Sequence, residues 1–189
     1  MNYPGGIQSK KIKQFSYSNR GMKLEAEINL SNDFYLEKGI ACIHKKPTPI
    51  KVLDVDYKEA NDCLIKKACF EKKSTLDYNG IYKGKYIDFE AKETKNSSSF
   101  PLSNIHEHQI NHIKTIIKMG GICFLIIRFT TRNLTFYLEG SKLISFIENN
   151  DRKSIPLSFF ESDCLQIKDS INPRVDYIKI IDELYFKEV

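Results

Sequence analysis

The sequence predicts a single α/β domain in which a sheet lies between helices. Three observations point there. Strand-like stretches and segments of helical period both recur along the chain. The run Gly121 to Ile127 is almost wholly apolar, as a buried strand requires. And 189 residues, 41% of them hydrophobic, suffice for one core without dividing obviously into two.

The chain opens on a basic arm. Lys10, Lys11, Lys13, Arg20 and Lys23 stand among the first 23 residues without an acid, so the net charge of +5 lies wholly here and the rest balances at 24 basic against 24 acidic. Such an arm, over residues 1–19, is either a solvated leader or a tail that orders on phosphates; composition does not choose. A helical pattern follows, carried by Met22, Leu24, Ala26, Ile28, Leu30 and Phe34 and closed at Gly39. Next come a strand from Ile40 to His44, a proline-marked turn and a strand from Ile50 to Val55.

From Tyr57 to Lys73 the pattern weakens. Lys66, Lys67, Lys72 and Lys73 surround Phe70, and the residues alone fit an edge hairpin with solvated lysines better than a basic protrusion with an aromatic tip. Thr75 to Asn96 then predicts a β-hairpin turning at Tyr82-Lys83-Gly84. On its second arm Ile87, Phe89 and Ala91 share one face, and Asp88, Glu90 and Lys92 share the other. A charged face ordinarily lies in water. Here Asp77 brings another acid to the same end, with no paired acid on the first arm to neutralise Lys92, and two carboxylates beside a lysine suit a hard cation and a phosphoryl oxygen.

A helix is expected from Ser103 to Met119, with Leu102, Ile105, Ile113, Ile116 and Ile117 along one stripe. Gln109 falls inside that stripe. An unpartnered buried amide costs about 1 to 3 kcal/mol, so Gln109 must have polar company, from backbone or from a polar site. His108 and His112 stand four apart at the stripe's edge, yet HEHQINH is not HExxH and offers no third zinc ligand. The buried run, a strand from Leu134 to Leu138, a short helix from Ser141 to Glu148 and a terminal helix around Tyr177 to Phe186 complete the chain.

Five cysteines without a CxxC pair, several among apolar neighbours, read as reduced core thiols of a cytoplasmic protein, with neither disulfides nor a structural zinc. The N-terminus has no apolar signal core, and the longest oily run is too short to cross a bilayer, so no membrane partner is expected.

Longer blocks carry more. Ser18 to Met22, His44 to Pro49, Thr75 to Gly84, Tyr86 to Asn96, Phe100 to Leu102, His108 to Ile110 and Asp176 to Ile181 together resemble RecU, the bacterial Holliday junction resolvase, in register over nearly the whole chain. The resemblance implies a restriction-endonuclease-like (PD-(D/E)xK) α/β core, with a central mixed sheet flanked by helices and a protruding stalk. It implies an arm over 1–19 and a nuclease domain over 20–189, with the stalk inserted at about 57–73. It further implies a Mg²⁺-dependent homodimer, with Mn²⁺ as a substitute, that cuts branched DNA in recombination and repair, in the bacterial cytoplasm at the nucleoid. A branch-migration helicase and a recombinase would be its partners. Thr75, Asp77, Glu90 and Gln109 would line the metal site, with Asp77, Glu90 and Lys92 catalytic. Arg20, Lys66, Lys67, Phe70, Lys72 and Lys73 would contact DNA. Leu76 departs from the class at its proline position, and Asp88 shares the charged face without an implied role. Two rivals stay open: a nuclease of this class acting on duplex DNA, and a junction-binding protein that does not cut.

Overall fold

The computed structural model describes residues 24–59, 62–70 and 75–187. The basic arm over 1–19, Arg20, Lys72 and Lys73 lie outside the described residues. Helix α1 (Leu24–Glu37) leads into β1 (Cys42–Lys45), β2 (Ile50–Glu59) and β3 (Asp62–Phe70). Then come β4 (Tyr78–Tyr82), β5 (Lys85–Thr94), β6 (Ser99–Pro101), α2 (Glu107–Lys118), β7 (Ile122–Phe129) and β8 (Leu134–Glu139). The chain ends in α3 (Gly140–Asn149), β9 (Ser154–Pro156), α4 (Leu157–Asp163), β10 (Leu165–Ile167) and α5 (Tyr177–Tyr185).

Six strands form one mixed sheet in the order β1-β4-β5-β7-β8-β10. Only β5 and β7 run parallel, because the chain crosses between them through α2 and cannot turn back on itself. Along β7, period two sends Ile122, Phe124 and Ile126 to the layer holding α1 and α5. Cys123, Leu125, Ile127 and Phe129 go to the layer holding α2, α3 and α4. Both faces of this strand are therefore oily. Strand β5 is not so: Ile87, Phe89 and Ala91 enter the first layer, while Asp88, Glu90 and Lys92 turn toward α2. That charged face is covered rather than solvated, with Asp88 at 0% and Glu90 at 3% exposure. The register pairs Asn79 with Asp88, and Gly80 is required beside it, since a Cβ there would stand 2.0 Å from the Cys42 carbonyl oxygen.

The structure amends several expectations. The apolar residues of α1 alternate as a strand's would, yet its buried face is Leu24, Ile28, Ser31, Asn32 and Tyr35. The polar members find partners across the layer: Ser31 Oγ accepts from Val175 N at 2.9 Å, and Tyr177 donates to Asn32 Oδ1, while Asn32 Nδ2 is buried without a hydrogen-bond partner. Helix α2 begins at Glu107 rather than Ser103, because Leu102–Asn104 forms a separate 3-10 turn. Cys42 and Cys69 are exposed, not core thiols; they lie on an edge strand and on the β2–β3 ribbon. Burial does push the Cys123 thiol up, and the Cys164 thiol up to about 12, so neither is a ready nucleophile. Helices α4 and the strands β6, β9 and β10 fell below the sequence signal, being seven residues or fewer.

Strands β2 and β3 pair with each other in a two-stranded sheet of their own. The ribbon begins at Ile50, well before the expected stalk boundary, and β2 runs through Val55 to Glu59. It leaves Val52, Leu53, Leu64, Ile65 and Phe70 exposed, Phe70 at 78%. Among the described residues no helix is long and apolar enough to cross a membrane.

Candidate active site

Asp77 does not sit on a strand as expected. Thr75, Leu76 and Asp77 precede β4, in a segment whose middle residue, Leu76, is buried in the layer under α2 and α3. Leu76, at the proline position of the class name, is buried, while Thr75 beside it is exposed and Asp77 half-buried. The backbone N–H of Asp77 donates to Glu90 Oε2 at 2.9 Å. Lys92 Nζ meets the other oxygen, Glu90 Oε1, at 2.7 Å. The pairing that period two implied is therefore real: Glu90 and Lys92 stand side by side on one face of β5.

Burial raises the Glu90 pKa, and the neighbouring Asp77 charge adds to this; Lys92, and then the Gln109 amide, oppose it. Gln109 is buried on α2 as the stripe required. Its Oε1 accepts from His106 N at 3.0 Å, so it closes the start of the helix while its amide faces Glu90. Both kinds of polar company anticipated for this residue are present. Asp77, Glu90, Lys92 and Gln109 are thus one cluster built from a loop, a central strand and a helix start.

Thr75 is held differently. Its Oγ1 accepts from Lys46 Nζ at 3.0 Å, and the same ammonium lies 2.9 and 3.0 Å from the two oxygens of Asp88. Asp88 Oδ2 also accepts from Tyr86 OH at 3.0 Å and from His112 Nε2 at 2.8 Å. A carboxylate beside three donors is the only way so deeply buried a charge is tolerated. Sequence reasoning missed Lys46, His112 and Tyr86 as members of this site. Lys46 and Tyr86 stood inside the quoted blocks but had no chemical reason to be singled out, and His112 was weighed only as a zinc ligand. Lys45 faces the acids too; its hydrogen bond to Glu25, at 2.6 Å, is the main cause of its raised pKa, and the fields of Asp77 and Glu90 contribute.

Among the described residues no three His, Cys, Asp or Glu side chains gather where they could share an ion. The candidate donors are instead two carboxylates, Asp77 and Glu90, with the Thr75 hydroxyl two residues before Asp77 and the Gln109 side chain beside Glu90. Oxygen donors alone, two of them charged, fit a hard divalent cation that keeps water in its remaining positions. Zinc or copper would be poorly served.

The DNA-contact candidates form a second group. Lys66, Lys67 and Phe70 lie exposed on β3, and Lys66 is paired with Asp56 at 2.9 Å.

The profile of the family described as "RecU: Recombination protein U" matches residues 19–183. A protein of Geobacillus sp. strain WCH70 named Holliday junction resolvase RecU is 49% identical, over 97% of this chain and 97% of its own. One of the same name from Pediococcus pentosaceus is 51% identical, over 97% and 96%. A solved structure of Hjc, a Holliday junction resolvase from Archaeoglobus fulgidus, aligns at 11% identity over 75% of this chain and 92% of its own, with a TM-score of 0.39, too loose a likeness to bear on the fold.

Proposed function

The chain belongs to the RecU, or recombination protein U, family, and from that membership we propose that it is a metal-dependent endonuclease that resolves four-way DNA junctions in recombination and repair. The observation that carries this is the match, at about half identity and nearly end to end, to proteins named as Holliday junction resolvases, on a chain with a covered, charged strand face that carries Glu90 and Lys92.

The cation is Mg²⁺, with Mn²⁺ as substitute; Thr75, Asp77, Glu90 and Gln109 would hold it. When bound it makes water acidic and neutralises a non-bridging phosphoryl oxygen. The chain's own groups do the rest. Glu90 must be ionised to serve, and Lys92 opposes the rise in its pKa that burial causes. The Lys92 ammonium also stands where it can support negative charge on the phosphoryl oxygen as water attacks phosphorus and the bond to the leaving alcohol breaks. Gln109 holds the helix start against Glu90 and limits its movement.

Junction preference is assigned to the β2–β3 ribbon. Exposed apolar side chains on a ribbon that, among the described residues, pairs with no other strand, with Lys66, Lys67 and an almost bare Phe70 ring, suit the open centre of a junction, where bases are unstacked and phosphates converge. Lys72 and Lys73, which follow the ribbon in sequence, and Arg20, which follows the arm, would add phosphate contacts. A junction has two-fold symmetry, so paired cuts call for a homodimer with two such sites. The work is cytoplasmic, at the nucleoid, with a branch-migration helicase and a recombinase as partners. A synthetic four-way junction and a linear duplex of the same sequence, incubated together with Mg²⁺, test the reading: the junction is cut and the duplex spared. Equal cutting would mean a duplex endonuclease.

A further inference from the structure

Asp88 lies on the same strand face as Glu90, two residues before it, with no exposed surface. A carboxylate has about four lone-pair sites. In Asp88 they are unevenly engaged: Oδ2 lies within reach of three donors, Lys46 Nζ, Tyr86 OH and His112 Nε2, and Oδ1 of Lys46 Nζ alone. The Lys46 ammonium bridges this buried carboxylate to the Thr75 hydroxyl. Lys46 thus reaches the segment before β4 twice: its side chain holds the Thr75 hydroxyl, and its backbone N–H donates to the Asp77 carbonyl at 2.7 Å.

We propose that Asp88 and Lys46 are positioning residues, a brace that holds Thr75 and Asp77 in register with Glu90 for cation binding. The segment 75–77 belongs to no strand, so it needs ties to keep its place. One is the Asp77 N–H on Glu90; the other runs through Lys46 to Asp88. Stability alone is a weak reason for such a pair, since a buried ion pair replaced by neutral groups of similar size often costs nothing. Position is the better reason: outer groups that orient ligands typically contribute 10- to 100-fold in metal affinity or activity.

The inference rests on the metal-dependent reading above, and its test separates the two. Lys46→Met, Asp88→Asn and the double variant would be compared with wild type for thermal midpoint, for Mn²⁺ affinity without DNA, and for junction cleavage. Each single variant leaves a buried charge unpaired and should melt at lower temperature. The double variant should recover most of the midpoint, yet bind Mn²⁺ at least about tenfold more weakly and cut correspondingly slower. A double variant that binds Mn²⁺ and cuts as wild type does would overturn the brace and leave the proposed function standing. A wild type that binds Mn²⁺ but cuts no junction would refute that function, and the affinities alone would then decide the brace. A wild type that binds no Mn²⁺ would overturn both.

Discussion

The backbone N–H of Asp77 is bonded to the side chain of Glu90, so one acid of the site fastens the loop that presents the other. The tie is made by main chain, and the Asp77 carboxylate takes no part in it. Side-chain changes at 77 therefore alter charge without releasing the loop.

Asp77→Asn should keep the fold and bind four-way junctions within about twofold of wild type, while cleavage falls by more than the roughly 100-fold that outer-shell changes reach. Gel-shift titration and single-turnover cleavage, side by side, check the split. Parallel losses of binding and rate would mean that Asp77 shapes the DNA surface instead.

Lys92→Ala should lose most turnover while Mn²⁺ affinity at pH 8 changes little, because the ammonium supports the transition state and not the ion. Lys92 also restrains the raised Glu90 pKa, so its removal should shift the acid limb of the pH–rate profile to higher pH. An unmoved acid limb would separate Glu90 from catalysis.

Glu90 carries a stability signature of the opposite sign to most carboxylates. Its folded pKa is raised, chiefly by burial, so its favourable contribution is complete below the unfolded value and is lost as pH rises through the folded one. Glu90→Gln should therefore melt above wild type at neutral pH, and the gap should close toward pH 4. Thermal melts between pH 4 and pH 8 measure this. A gap of the same sign and size at every pH would show that ionisation is not what burdens the fold.

Phe70→Ala should leave the melting midpoint unchanged, since the ring is exposed, but weaken junction binding by about 1 kcal/mol or more if it stacks on a base. Lys67→Ala should lower the salt slope of binding by about one unit. Lys66→Ala should lower it less, because Lys66 already has Asp56 as a partner. Titrations at several salt concentrations distinguish the three.

Period two was enough to put Glu90 and Lys92 on one face of β5, and helical period was enough to bury Gln109. These are local rules, and they hold wherever the chain is regular. What they missed was set by tertiary contact. Thr75 and Asp77 are not in a strand, and their segment is held by the burial of Leu76 and by ties to Lys46 and Glu90. Ser31 and Asn32 are buried on α1 because the start of α5 supplies their partners 144 and 145 residues away. Asp88 was visible as a charge on the right face, but its meaning depends on Lys46 and His112, which come from a loop and a helix that no spacing in the sequence connects. The catalytic role proposed for the cluster was legible mainly through the family resemblance, since D-x12-E-x-K alone is a weak signal.

The most direct test of the account is strand-resolved cleavage of a synthetic four-way junction, labelled on each arm in turn, by wild type and by Asp77→Asn in Mg²⁺. Wild type should give paired nicks in two strands of like polarity, placed symmetrically about the crossover, with linear duplex untouched, and Asp77→Asn should give none. Nicks at unrelated positions, cutting of duplex at the same rate, or cleavage by Asp77→Asn would contradict a junction resolvase acting through this site.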